Sequence, residues 1–65
     1  MSKLKEFQSR ARALARSGAF YALPPLEFQL QFEDGYDEAR DWLEDGETRE
    51  ELDRLCRESR QKKAA

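Results

Sequence analysis

Residues 26–32, with the sequence LEFQLQF, constrain the fold more than any other part of the chain, because they fit two different secondary structures. Four apolar residues alternate with Glu27, Gln29 and Gln31, and a period of two residues is typical of a half-buried β-strand. The chain contains no second good strand, so a strand here would have to pair with its copy in another molecule. The conformation of this stretch therefore decides between a dimer held together by strands and a small helical domain.

The same residues also fit a helix, and we favour that interpretation. Pro24 and Pro25 precede the stretch, and proline is well placed in a first helical turn. At about 100° per residue, two leucines form one stripe, and Phe28 and Phe32 form another nearly opposite. We expect this helix to lie between the others with both stripes buried. The alternative is that Phe28 and Phe32 stay exposed and contact a partner or a second copy of the chain.

Three further segments have helical patterns. In residues 3–17, apolar side chains recur at steps of three and four, with the cations off that stripe. Residues 36–45 carry acids in their first turns, where a helix N-terminus favours negative charge. A last helix is expected to begin at Thr48, because Glu51 follows three residues later, as in a capping box. Three glycines follow predicted helices, at the position where a helix-ending glycine belongs. Gly18 follows residues 3–17, Gly35 follows the stretch at 26–32, and Gly46 follows residues 36–45.

These patterns predict an all-α protein, a small bundle of four short helices in which residues 1–65 form one domain. We expect the last few residues to be disordered. Cys56 and Trp42 are expected in the core, although Trp42 could instead anchor a partner and Cys56 could be a reactive thiol. Phe20 and Tyr21, beside the prolines, are expected to form a lid on the core, with a binding platform as the alternative.

Charge is strongly segregated along the chain, although the formal net charge is only −2. Residues 1–18 carry five cations and one acid, and residues 54–65 carry the same numbers. Residues 27–53 carry twelve acids and two cations. We expect the basic ends to pack beside the acidic middle; the sharper alternative is that they bind a polyanion.

The chain lacks the residues that several classes of chemistry require. There is no histidine, which removes histidine-based catalysis and the commonest metal ligand. One cysteine cannot build a thiolate zinc site or an internal disulfide, which favours a reducing compartment. We therefore expect no enzyme, no cofactor and no metal, and we place the protein in the cytoplasm. No apolar run approaches the roughly 20 residues that a transmembrane helix needs, so none is predicted.

If residues 26–32 form a strand, the order strand, helix, helix resembles the ribbon–helix–helix family of DNA-binding dimers. In that family, outward strand residues read the major groove and the start of the second helix holds a phosphate. The resemblance implies groove contacts by Glu27, Gln29 and Gln31 and a phosphate contact by Thr48. Glutamine can bond adenine, but this stretch carries no cation and the surrounding acids would repel DNA.

If residues 26–32 form a helix, the chain resembles the three-helix fold of ubiquitin-associated (UBA) domains. Such domains carry a Gly-Phe or Gly-Tyr loop after helix one and a last helix reading roughly E-A-x-x-W-L. This chain has Gly18-Ala19-Phe20 and, at residues 38–43, EARDWL. One extra residue splits the loop pair, two prolines follow and a fourth helix is added, so the resemblance implies a helical topology rather than ubiquitin binding. Through ARSG, GYDEARDWLED and LDRLC, the whole chain also resembles a family of short bacterial helical proteins, which carries no function to transfer.

The sequence thus predicts a non-catalytic protein-interaction or regulatory module with a protein partner and a possible homodimer. The alternative is a nucleic-acid-binding protein, acting through the basic first helix or as a ribbon–helix–helix dimer, although nucleic acid is not the expected partner. The candidate partner-binding residues are Phe28, Phe32, Phe20, Tyr21 and Trp42. The candidate polyanion contacts are Lys3, Lys5, Arg10, Arg12 and Arg16.

Overall fold

A computed structural model describes residues 2–64, with the side chains of residues 2–61. It contains four helices: α1 (Lys3–Arg16), α2 (Leu23–Leu30), α3 (Tyr36–Glu44) and α4 (Gly46–Ala64). The prediction of a small all-α bundle is confirmed. The strand alternative for residues 26–32 is wrong, because the described residues contain no strand and this stretch lies in α2 and the turn after it. The ribbon–helix–helix dimer built on that strand is wrong with it.

Helices α1 and α4 form the centre of the bundle, since each of them contacts the other three helices. The Ser2 hydroxyl caps the N-terminus of α1 by accepting a hydrogen bond from the backbone N–H of Lys5 at 3.1 Å. Gly18, with a φ of 81°, ends α1 in the left-handed region where glycine carries no side-chain penalty. The predicted start and end of this helix are therefore close to the observed ones.

The core lies where α1 meets the inner faces of α2, α3 and α4. Small side chains such as Ala11 and Ala39 allow the helices to pack closely around the larger Phe7 and the leucines. The buried members of the core are Phe7, Ala11, Ala15, Leu23, Leu26, Leu30, Ala39, Leu43, Leu52 and Cys56. The prediction of a buried Cys56 is confirmed.

The junction between α3 and α4 differs from the predicted one. Helix α4 begins at Gly46, and the Asp45 carboxylate accepts a hydrogen bond from the backbone N–H of Thr48 at 3.2 Å. Asp45 is therefore the capping residue, and the predicted capping box between Thr48 and Glu51 is wrong. Thr48 is buried in the first turn, and Glu51 pairs with Arg12. The helix-ending role predicted for Gly46 is also wrong, because Gly46 has no positive φ and opens α4.

Gly35 is required where α3 begins. Its φ of 90° lies in the left-handed region, and a Cβ added there would be 3.2 Å from the carbonyl oxygen of Lys3 and 3.5 Å from Cβ of Phe7. A side chain at this position would therefore push the start of α3 away from α1.

The predicted disorder of the last few residues stays a prediction. It falls on Ala65 and on the side chains of residues 62–64, which lie outside the described residues.

Candidate functional site

Phe28 and Phe32 form an exposed aromatic pair on the outer side of α2. Their ring centroids are 5.3 Å apart in an edge-to-face arrangement, and the two residues are 63% and 70% exposed. The expectation that α2 lies between the other helices with both stripes buried is therefore wrong. The leucine stripe of α2 faces α1 and α4, and no described element covers the opposite side.

A shallow groove runs beside Phe28. It is lined by Pro24, Glu27, Phe28, Gln31 and Arg49. The guanidinium of Arg49 donates to both carboxylate oxygens of Glu27, at 2.9 and 3.0 Å, which ties α4 to α2 at the edge of the groove. We call the groove residues together with Phe32 the phenylalanine surface.

The position of α2 depends on a cap supplied by another helix. Ala22, at the N-cap position, has no side chain that can accept a hydrogen bond, and the prolines at positions 24 and 25 have no backbone N–H. The remaining donor in this turn, the backbone N–H of Leu23, donates to the Asp53 carboxylate of α4 at 3.0 Å. Thirty residues of sequence separate the two groups, so no local sequence pattern predicts the contact.

The charged form of Asp53 is stabilised by these contacts. The hydrogen bond from the Leu23 backbone is the largest effect and lowers the pKa of Asp53. Burial acts in the opposite direction, and a 2.8 Å hydrogen bond from Arg57 lowers the pKa further. Asp53 is thus an ionised capping group at neutral pH, and no local sequence pattern marks it as one.

The other predicted partner-binding residues do not join the phenylalanine surface. Trp42 is half-buried, packed edge-to-face on Phe7 with centroids 6.3 Å apart, and the Arg12 guanidinium lies 5.5 Å from its ring centroid. Phe20 is half-buried against the core, as the lid interpretation expects. Tyr21 is 65% exposed, so the lid does not include it.

Three of the five candidate polyanion contacts are engaged with acids of the same chain. Lys3 lies 3.8 Å from Asp34, Arg10 lies 3.2 Å from Glu33, and Arg12 lies 2.9 Å from Glu51. Among the described residues, Lys5 and Arg16 have no acid within ion-pair distance. The basic first helix therefore packs beside the acidic middle, as one of the two charge interpretations expects.

The remaining reactive groups form no assembled centre in the described part of the chain. No group of three or more histidine, cysteine, aspartate or glutamate side chains there is arranged to hold a metal ion. Burial raises the pKa of the Cys56 thiol, and the charge of Asp53 raises it further, so the thiol is protonated at neutral pH. None of the helices described combines the length and apolar character needed to cross a bilayer.

The chain matches no protein-family model, and it has no significant match among curated proteins or among solved structures. The resemblances to UBA-like domains and to short bacterial helical proteins therefore stay predictions.

Proposed function

We propose that this protein is a non-catalytic interaction or regulatory module of the cytoplasm, which contacts a protein partner through the phenylalanine surface. The observation that carries the proposal is the pair formed by Phe28 and Phe32, 63% and 70% exposed and in mutual contact. Burying such a ring fully is worth roughly 1.5–3 kcal/mol, so two rings left side by side in water represent binding energy that a partner could gain by covering them.

The composition of the chain strengthens this inference. Charged residues make up 40% of the sequence, and the mean hydropathy is −1.02, so polar residues were available for the outer side of α2. The largest exposed apolar patch of a monomer is often functional, and here exposed apolar groups that touch one another have a polar rim. Rigid aromatic side chains are also the residues that contribute most to binding when a partner covers them.

Site-specific photocrosslinking tests the proposal. Phe28 or Phe32 is replaced with p-benzoylphenylalanine in cells that produce the protein, the cells are irradiated, and adducts are resolved by mass. The matched control carries the same group in place of Arg40, an exposed residue of α3. We expect discrete adducts from positions 28 and 32 and none from position 40. Absence of adducts from both phenylalanine positions contradicts the proposed function.

A further inference from the structure

We propose that the partner of the phenylalanine surface is a second copy of this chain, which meets the first across a two-fold axis. The inference rests on the proposed function and adds the identity of the occupant. In such an interface the same patch occurs on both sides, so the patch must be complementary to itself.

The charges around Phe28 and Phe32 meet this condition. Residues 23–32, LPPLEFQLQF, contain one charged side chain, Glu27, and Arg49 neutralises it through two hydrogen bonds. The next acid along the chain, Glu33, is paired with Arg10 at 3.2 Å. When two copies meet here, no unpaired charge of this stretch is brought against its twin, whereas like charges placed opposite each other would repel.

The contrast with the neighbouring surface supports the same occupant. A hollow beyond Gln31 is lined by Glu33, Asp34, Asp37 and Glu38, with Lys3 as its one cation. A strongly basic partner would be drawn to that hollow rather than to the aromatic pair. The electrically neutral patch instead favours an occupant that is itself apolar and uncharged at the point of contact, which the phenylalanine surface of a second copy is.

The glutamines beside the rings suit self-pairing as well. Gln29 and Gln31 are exposed and alternate with the phenylalanines along the chain, and Gln31 lines the groove beside Phe28. A carboxamide both donates and accepts hydrogen bonds, so it can pair with an identical carboxamide from the other copy. A lysine or glutamate in either position offers only donors or only acceptors and could not pair with itself.

The size of the patch predicts a weak dimer. The exposed parts of the two rings amount to roughly 200–350 Å² per copy, given about 150–250 Å² for a whole aromatic side chain. Stable specific interfaces cover about 800 Å² per partner. We therefore expect a rapidly exchanging dimer with a dissociation constant of roughly 10–500 µM.

Sedimentation equilibrium across roughly 1 µM to 1 mM protein tests the proposal on the whole chain. The average mass should rise from one chain toward two for the native protein and for Tyr21→Ala, a control that removes another exposed aromatic ring. The double variant Phe28→Ala/Phe32→Ala should keep its helical circular dichroism and remain at the mass of one chain. A native protein that stays at that mass throughout, or a dimer that survives the double substitution, overturns the proposal.

A charge exchange at Gln31 tests the two-fold arrangement itself. Gln31→Glu and Gln31→Lys should each weaken association by about tenfold or more at low salt, because each adds a charge of the same sign to both halves of an interface that pairs with itself. An equal mixture of the two variants should associate at least as strongly as the native chain. A mixture no stronger than its components overturns the self-paired interface. Photocrosslinked adducts of a mass other than two chains would overturn the second copy as occupant while leaving the proposed function standing.

Discussion

The molecule contains two groups of aromatic side chains, one packed on the core and one exposed to solvent. Around α1, the ring of Phe7 contacts Tyr36 and Trp42, each with its centroid 6.3 Å away, and the whole group packs on the core. Phe28 on α2 and Phe32 in the turn after it contact each other and otherwise face water. Residue type does not separate the groups, since Phe7 is 1% exposed and Phe32 is 70% exposed.

The difference comes from how many neighbours each helix has. Helix α1 is contacted by the three other helices, and Arg12 lies over Trp42 and pairs with Glu51 at 2.9 Å, so the exposed face of α1 carries mostly polar side chains such as Glu6 and Ser9. Helix α2 is eight residues long and meets α1 and α4 with its leucine side only. A domain of this size has too few elements to cover both sides of every helix, so an apolar residue on the second side stays exposed to solvent.

Removing the inner aromatic ring should have the largest effect. Phe7→Ala should cost about 3–5 kcal/mol and leave so small a domain unfolded, because it empties the centre of the core. Phe7→Leu, which retains part of the volume, should cost about 1–2 kcal/mol and still give a measurable urea transition. Phe28→Ala and Phe32→Ala, measured in dilute solution, should each change the free energy of unfolding by about 0.5 kcal/mol or less. Equal losses for the inner and outer rings would remove the distinction between the two groups.

A methyl group added at Gly35 tests how closely α3 approaches α1 beside Phe7. Gly35→Ala should destabilise the protein by about 1–3 kcal/mol, because it strains a positive φ and crowds the Lys3 carbonyl and Phe7. Gly46→Ala is the matched control, since a Cβ at position 46 meets nothing within 4 Å and no positive φ is required there. That variant should be neutral or stabilising by up to about 1 kcal/mol. Similar urea midpoints for the two variants would contradict the close approach of α3 to α1.

Loss of the Asp53 cap should destabilise the helix that carries the outer pair. Asp53→Ala should cost about 1 kcal/mol at pH 7, because the Leu23 N–H loses its acceptor. The folded pKa of Asp53 lies below its ordinary value of 3.8, so its contribution is present above that pH and is lost as the pH falls through the folded pKa. The difference between native protein and Asp53→Asn should therefore shrink below about pH 4, in urea titrations at a series of pH values. A difference that is constant across this range would exclude the charged cap.

We expect the protein not to bind duplex DNA. Three of the five cations of α1 are paired with acids of the same chain, and Glu27 beside the outer pair is neutralised by Arg49. Fluorescence anisotropy at about 50 mM salt should show no useful binding, since non-specific affinity for DNA is nearly all electrostatic. Binding that weakens steeply with salt and is lost in Lys5→Gln/Arg16→Gln would revive the nucleic-acid alternative.

The helices themselves were predictable because their signals are local. The apolar spacing in residues 3–17 and the turn at Gly18 gave α1 nearly to its ends, and the two prolines favoured a helix over a strand at α2. The start of α4 was misplaced because Asp45 and Thr48 are both good capping residues three positions apart, and the sequence alone does not rank them.

The candidate site was only half predictable. Periodicity placed Phe28 and Phe32 on one side of a helix, but which side meets solvent depends on where the other helices pack. The same limit applies to Arg49 on Glu27 and to Asp53 on Leu23, which join residues far apart in sequence. No periodic or capping signal marks such pairs before the tertiary structure is known.

The hydrogen bond from Leu23 to Asp53 also bears on the order of events during synthesis. Isolated helices shorter than about 12–15 residues are marginal in water, and α2 has eight residues and no capping side chain of its own. On the ribosome, residues 23–32 emerge well before residue 53, so α2 has to wait for α4 to arrive. The phenylalanine surface is consequently completed only after residue 53 is available to cap α2.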